Sequence, residues 1–158
     1  MASPGARNER GFTLIELMVT IVVLAIVLAL AVPSFQSVVD GSRVRGTTSE
    51  LITALNTARA HAINFRSSVT LAPQSGSDWN SGWRLSFPTG SSRENEDFHA
   101  PEYTTVTLTQ GASNLVFTAR GVIPGGRQFR VCSAKGGDGR IVSISPFGQV
   151  TNEKTTCS

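Results

Sequence analysis

Glu16 is the one charged residue between Phe12 and Val32, a run of twenty-one residues. That length suits a membrane-spanning helix of about 20 residues. A carboxylate in such a helix costs roughly 2.5–3.5 kcal/mol near the centre, and less towards an end. A plain anchor has no use for it, so Glu16 requires a cationic partner. Arg7, Arg10 and Gly11 stand immediately before the run. Hydrolysis of the Gly11–Phe12 peptide bond would remove the charged leader and create an ammonium at Phe12. On a neighbouring subunit, that ammonium would pair with Glu16 and offset the cost of burying the carboxylate.

The remaining candidates for chemistry are Cys132, Cys157, His61 and His99. They show no metal-ligand spacing. His61 lies between Ala60 and Ala62 on a helical pattern and reads as a partly exposed packing residue. His99 follows an acidic loop at Asp97. No set of nucleophile, base and orienting group can be assembled from these spacings. The expectation is a protein without catalytic residues, metal or cofactor.

Elements must position Glu16 and the cysteines. Positive charge before the apolar run keeps that side cytoplasmic and sends the rest of the chain across the membrane. A secretory signal would carry its cleavage site after the apolar segment, beside small residues. Here the run passes into Pro33-Ser34-Phe35-Gln36, and the small residue lies before it at Gly11. Pro33 should kink the helix, because proline lacks a donor and clashes with the preceding turn. Beyond it, Val44, Leu51, Leu55, Ala58, Ala62 and Phe65 form one apolar stripe at helical spacing. Arg45, Ser49, Asn56 and Arg66 fall off the stripe, and Gly41 and Gly46 weaken the join. A continuous helix from Phe12 to Phe65 would be about 80 Å long.

Short strands follow, with period-two alternation and Val, Ile, Thr and Phe enrichment. They are expected at Ser68–Ala72, Trp83–Phe87, Thr105–Thr109, Leu115–Arg120, Gln128–Cys132 and Arg140–Ser145. Turns are expected at Gly125-Gly126, Gly136-Gly137-Asp138-Gly139 and Ser145-Pro146-Phe147-Gly148. Ser91–Asp97 reads as a mobile polar loop. The expected architecture is α+β: a long N-terminal helix, its first half in the membrane, packed on an antiparallel β domain. The divisions are a leader at 1–11, a transmembrane segment at 12–33, the periplasmic half of the helix at 34–66 and a β domain at 67–158.

Gly11-Phe12-Thr13-Leu14-Ile15-Glu16-Leu17, followed by the apolar helix and Pro33, resembles type IV pilins and pseudopilins. The resemblance implies a type IV pilin-like fold. It implies cleavage by prepilin peptidase after Gly11, N-methylation of Phe12, and subunit docking through Glu16. Implied partners are other minor pilins, a major pilin, prepilin peptidase, the inner membrane and a pilus assembly platform. The implied location is the inner membrane, single-pass, with the C-terminal domain in the periplasm and later in a surface pilus.

Further segments resemble the GspH/FimT group. These are Leu51-x-x-Ala54-Leu55-x-x-Ala58-Arg59-x-x-Ala62, Trp79-x-x-Gly82-Trp83 and Phe117-x-x-x-Gly121. The alanines permit close helix–sheet approach, and the Trp pair supplies apolar area to a small core. An exported chain enters an oxidising compartment, where a Cys132–Cys157 disulfide would persist. Its loop would contribute roughly 3–4 kcal/mol in the chain-entropy model. Two buried free thiols are the alternative.

Net charge is +3, and +2 without the leader. Residues 78–102 hold two basic and five acidic residues, and residues 120–158 hold six basic and two acidic. The C-terminal third therefore suits either a solvated surface or an anionic partner. DNA would be bound through Arg120, Arg127, Arg130, Lys135 and Arg140. The DNA-binding FimT branch is similar in a basic Gly-Arg-x-Arg element, where this chain has Gly148-Gln149-Val150-Thr151. Losing two phosphate-contacting cations weakens binding. Pro33 and the late cysteine pair look like the FimU-like minor pilins. The expected function is priming of pilus assembly and incorporation near the tip. FimT-like DNA uptake and a type II secretion minor pseudopilin are the alternatives.

Overall fold

Val44, Leu51, Leu55, Ala58 and Ala62 recur so that one side of a helix is apolar, and in the computed structural model that side is buried. The structure describes residues 12–99 and 101–158, with residues 31–34 described as helical backbone alone. Gly11 lies outside the described residues, and Pro33 is described as backbone inside a helix that runs on through it. Helix α1 runs over Leu14–Phe65. Two units divide the chain, one ending at Val38 and the other Val39–Ser158.

In the first unit, α1 is apolar all round and exposed. Leu14, Leu17, Ile21, Leu24 and Leu28 are each more than half exposed. Its eighteen-residue apolar window has a mean hydropathy of 2.9, long and apolar enough to cross a membrane. A helix hydrophobic on every side is at home in lipid or in a bundle of similar helices.

In the second unit, the last part of α1 lays its stripe on the β strands. Ala54 joins the expected positions, fully buried, while Phe65 is only half-buried. Ala58 and Ala62 on the stripe are fully buried. Gly41 admits the Asp138 side chain against the helix, since a Cβ there would meet its carboxylate at 2.8 Å. Gly46 faces open space, and nothing in the structure explains it. The helix stops because Arg66 turns left-handed at φ 50°. Ser67 N then donates to Ala62 O at 3.2 Å and Arg66 N to Ile63 O at 3.3 Å, which satisfies two terminal carbonyls in a Schellman arrangement.

Eight strands follow in chain order: β1 Val69–Ser75, β2 Asp78–Ser86, β3 Glu96–Phe98, β4 Thr104–Gln110, β5 Leu115–Phe117, β6 Arg127–Ser133, β7 Gly137–Ile144 and β8 Val150–Cys157. They build two antiparallel sheets, ordered β3-β2-β1-β5 and β4-β6-β7-β8. Side chains alternate in and out along β6, with Phe129 and Val131 inward and Arg130 outward. The core gathers Leu51 and Leu55 of the helix, Trp79, Trp83 and Phe117 of the first sheet, and Phe129 of the second. Trp79 meets Phe129 edge-on at 4.7 Å, so one indole joins the two sheets. Asn80 adds a polar tie, its Oδ1 accepting from Val106 N at 2.7 Å. The buried hydroxyls of Thr47 and Thr104 are bonded at 2.9 Å, linking helix to β4.

Four expectations need correction. Strand β8 was not foreseen, because an edge strand exposed on both faces, Val150-Thr151-Asn152-Glu153-Lys154-Thr155-Thr156-Cys157, shows no apolar alternation. The Ser91–Asp97 segment is not wholly loop: Glu96 and Asp97 enter β3, paired with Leu85 and Arg84. The strand expected over Leu115–Arg120 ends at Phe117, where Gly121 N bonds back to Thr118 O at 2.7 Å. Gly137, Asp138 and Gly139 belong to β7 rather than to a turn.

Candidate functional site

At the helix start, Thr13 shapes the surroundings of Glu16. Glu16 N donates to Thr13 Oγ1 at 3.3 Å, and Leu17 N to Thr13 O at 3.2 Å. Thr13 is thus the N-cap and Glu16 the third helical residue, the spacing of a capping box. A carboxylate in the first turn also meets the positive end of the helix dipole. Among the described residues, Glu16 has no cationic partner, and its side chain is exposed. Phe12, just outside the helix, is 80 % exposed. Thr20, the other polar residue of this stretch, bonds its hydroxyl to Leu17 O at 2.8 Å and so satisfies itself within the helix.

The cysteines form a disulfide, Cys132–Cys157, with a Cα–Cα distance of 6.0 Å. It runs from β6 to β8 across the intervening β7. The crossing requires Gly139, paired with Cys132 on one side and Thr155 on the other. A Cβ at Gly139 would collide with Cys157 Sγ. The bond therefore fastens the last strand to the middle of its sheet.

The five cations proposed for DNA do not share a face. Arg127 is buried at 8 % exposure, and its Nη1 donates to the carbonyls of Pro124, Gly125 and Gly126 at 3.3, 3.2 and 3.0 Å. It braces a glycine turn and is withdrawn from solvent. Arg130 points outward from β6, whereas Arg140 pairs with the buried Val131 and lies on the opposite face. Lys135 Nζ reaches Asp40 Oδ2 at 3.8 Å. Arg120 stands exposed in the turn after β5.

His61 packs between Phe65 and Phe87, with ring centroids at 5.1 and 5.6 Å, and its Nε2 lies 3.3 Å from Glu96 Oε1. His99 is exposed beyond β3. Among the described residues no three His, Cys, Asp or Glu side chains gather to hold a metal ion. Arg84 grips Asp97 with two bonds, Nε to Oδ1 at 2.5 Å and Nη2 to Oδ2 at 2.9 Å. Those bonds hold the Asp97 carboxyl below its ordinary pKa and raise that of Arg84.

The sequence reading leaves out two contributors. The Thr13 cap is legible in its three-residue spacing from Glu16. Gly139 reads as a turn residue, and nothing local distinguishes a glycine under a disulfide.

Comparison with known proteins agrees with this arrangement. Residues 47–148 match the family model described as type II transport protein GspH. Residues 6–32 match the prokaryotic N-terminal methylation motif. The crystal structure of the Pseudomonas aeruginosa type IV minor pilin FimU in space group P21 is similar with a TM-score of 0.59 and 26% identity, over 71% of this chain and 89% of that one. FimU in space group P65 is similar at 0.56 and 26% identity, over 69% of this chain and 91% of that one. None of the curated proteins matches the chain significantly. Proteins of this kind are structural, and the methylation motif with its apolar helix points to membrane anchoring of a soluble C-terminal domain. With its capped, carboxylate-bearing helix and disulfide-fastened sheet, the chain belongs to the GspH family of type IV minor pilins and pseudopilins.

Proposed function

We propose that this chain is a minor pilin that primes assembly of a type IV pilus and is incorporated near its tip. Its likeness to FimU over most of both chains carries this reading. Prepilin peptidase removes the leader after Gly11 and methylates the Phe12 amine. The subunit waits in the inner membrane with its β domain in the periplasm. Its exposed apolar helix then joins those of other minor pilins, and a neighbour's Phe12 ammonium compensates Glu16. The resulting small complex templates addition of the major pilin. The unpartnered Glu16 and the all-round exposure of the first part of α1 support this sequence of events.

A place in a type II secretion pseudopilus is the second reading, favoured by the GspH family model. DNA capture has less support, because Arg127 is engaged with backbone carbonyls and Arg130 and Arg140 lie on opposite faces.

Substituting Glu16→Ala and deleting the gene, each followed by surface piliation and by secretion assays, tests the reading. The variant should insert in the membrane at wild-type level and leave few or no pili. Normal piliation with impaired secretion would instead select the pseudopilus. Normal piliation with the Glu16→Ala protein recovered in pili would remove the docking role.

A further inference from the structure

Arg45 stands on the exposed side of α1, and β7 and β8 place Arg140 and Lys154 opposite each other in register. All three line one cleft of about 440 Å³ between the helix and these strands, together with Gly41, Val44 and Asp138. Arg45 and Arg140 also line an adjoining cleft of about 290 Å³ with Thr48, Ser49, Thr53 and Asn152. The two clefts form one groove, running along the helix from Gly41 to Thr53. At 1.5 Å per residue that is about 18 Å, the length of five or six extended residues at about 3.3 Å each.

The groove is basic, with Val44 and Ile52 adding apolar wall. Arg140 Nη1 donates to Asn152 Oδ1 at 3.1 Å. Among the described residues Arg45 and Lys154 have no bonded partner, and Asp138 is the one acidic lining residue. Glu153 pairs with Ile141 and so lies on the other face from Lys154. Strand β8, which forms one wall, has no neighbour on its far side.

We propose that this groove docks an extended acidic segment of a neighbouring subunit. The partner's carboxylates would meet Arg45, Arg140 and Lys154, its polar side chains the flanking hydroxyls, and its backbone the free edge of β8. A nucleic acid fits less well. No lining residue is aromatic, so no base has a stacking platform. The inference rests on the filament-subunit reading for the identity of the partner. Its chemistry is tested separately from that reading.

The full chain in detergent should bind a labelled hexapeptide of alternating threonine and aspartate, and bind less as salt rises. Arg45→Ala with Lys154→Ala should weaken binding about tenfold. Arg45→Glu with Lys154→Glu should reverse the preference towards a threonine–lysine hexapeptide, which a misfolded variant would not do. No peptide binding, or binding unaffected by the alanine pair, would overturn the proposal. So would binding of a short DNA duplex through these residues without peptide binding. None of these outcomes bears on the piliation of Glu16→Ala.

Discussion

Gly139 lies directly under the sulfur of Cys157, and that relationship is what lets the Cys132–Cys157 bond cross β7. With a side chain at 139, either the bond or the β7–β8 pairing must yield. Gly139→Val should therefore leave two titratable thiols in the exported protein. The bond closes a separation of 25 residues, so its loss should cost about 3–4 kcal/mol in the chain-entropy model. Thiol titration and denaturant unfolding of the variant beside Cys157→Ser would check this. A Gly139→Val protein with no free thiol and wild-type stability would contradict it.

Trp79 bridges the two sheets through Phe129 while Trp83 lies within the first sheet's side of the core. Trp79→Ala should destabilise by about 3–5 kcal/mol, the range for removing a buried aromatic. Trp79→Phe should recover much of that loss, because the indole nitrogen has no bonded partner. Urea unfolding of both variants measures the difference.

Arg127 and Arg130 are three residues apart, yet their substitution should differ. Arg127→Ala strands three carbonyls that now share one guanidinium nitrogen, at a cost of about 1–3 kcal/mol. Arg130→Ala removes an exposed charge and should change stability by less than about 0.5 kcal/mol. Equal unfolding midpoints for the two variants would refute the bracing role.

The Asp97 carboxyl titrates below its ordinary range because Arg84 bonds its charged form. A depressed carboxylate contributes fully above its unfolded pKa and loses that contribution as pH falls through the folded one. Arg84 stays protonated throughout. Acid should therefore release β3 from β2, and the contribution is small because both groups are in water. Protection factors of the Glu96–Phe98 amides, taken against the intrinsic exchange rate at each pH, should fall on acidification in the wild type and already be low at neutral pH in Asp97→Asn. Identical exchange in the two proteins at neutral pH would remove the pair's role.

Local signals carried much of this protein. The run from Phe12 to Val32, with Glu16 and Gly11 at its head, marks a pilin-like N-terminus because a lone carboxylate among so many apolar neighbours has few other uses. The stripe from Val44 to Ala62 is legible because a helix repeats its buried face every few residues. Strands β1, β2, β4, β6 and β7 were readable from alternation, and each is longer than expected or shifted at its ends. Tertiary structure alone decided what depends on partners distant in sequence. Strand β8 exists because β7 offers an edge and Cys132 holds its end, and neither is written in its polar residues. The basic residues of the C-terminal third looked alike as letters. Folding buried Arg127 against carbonyls, turned Arg130 outward, and set Arg140 with Lys154 across from Arg45. Charge composition records how many cations there are, whereas pleat, register and helix packing decide which of them share a face.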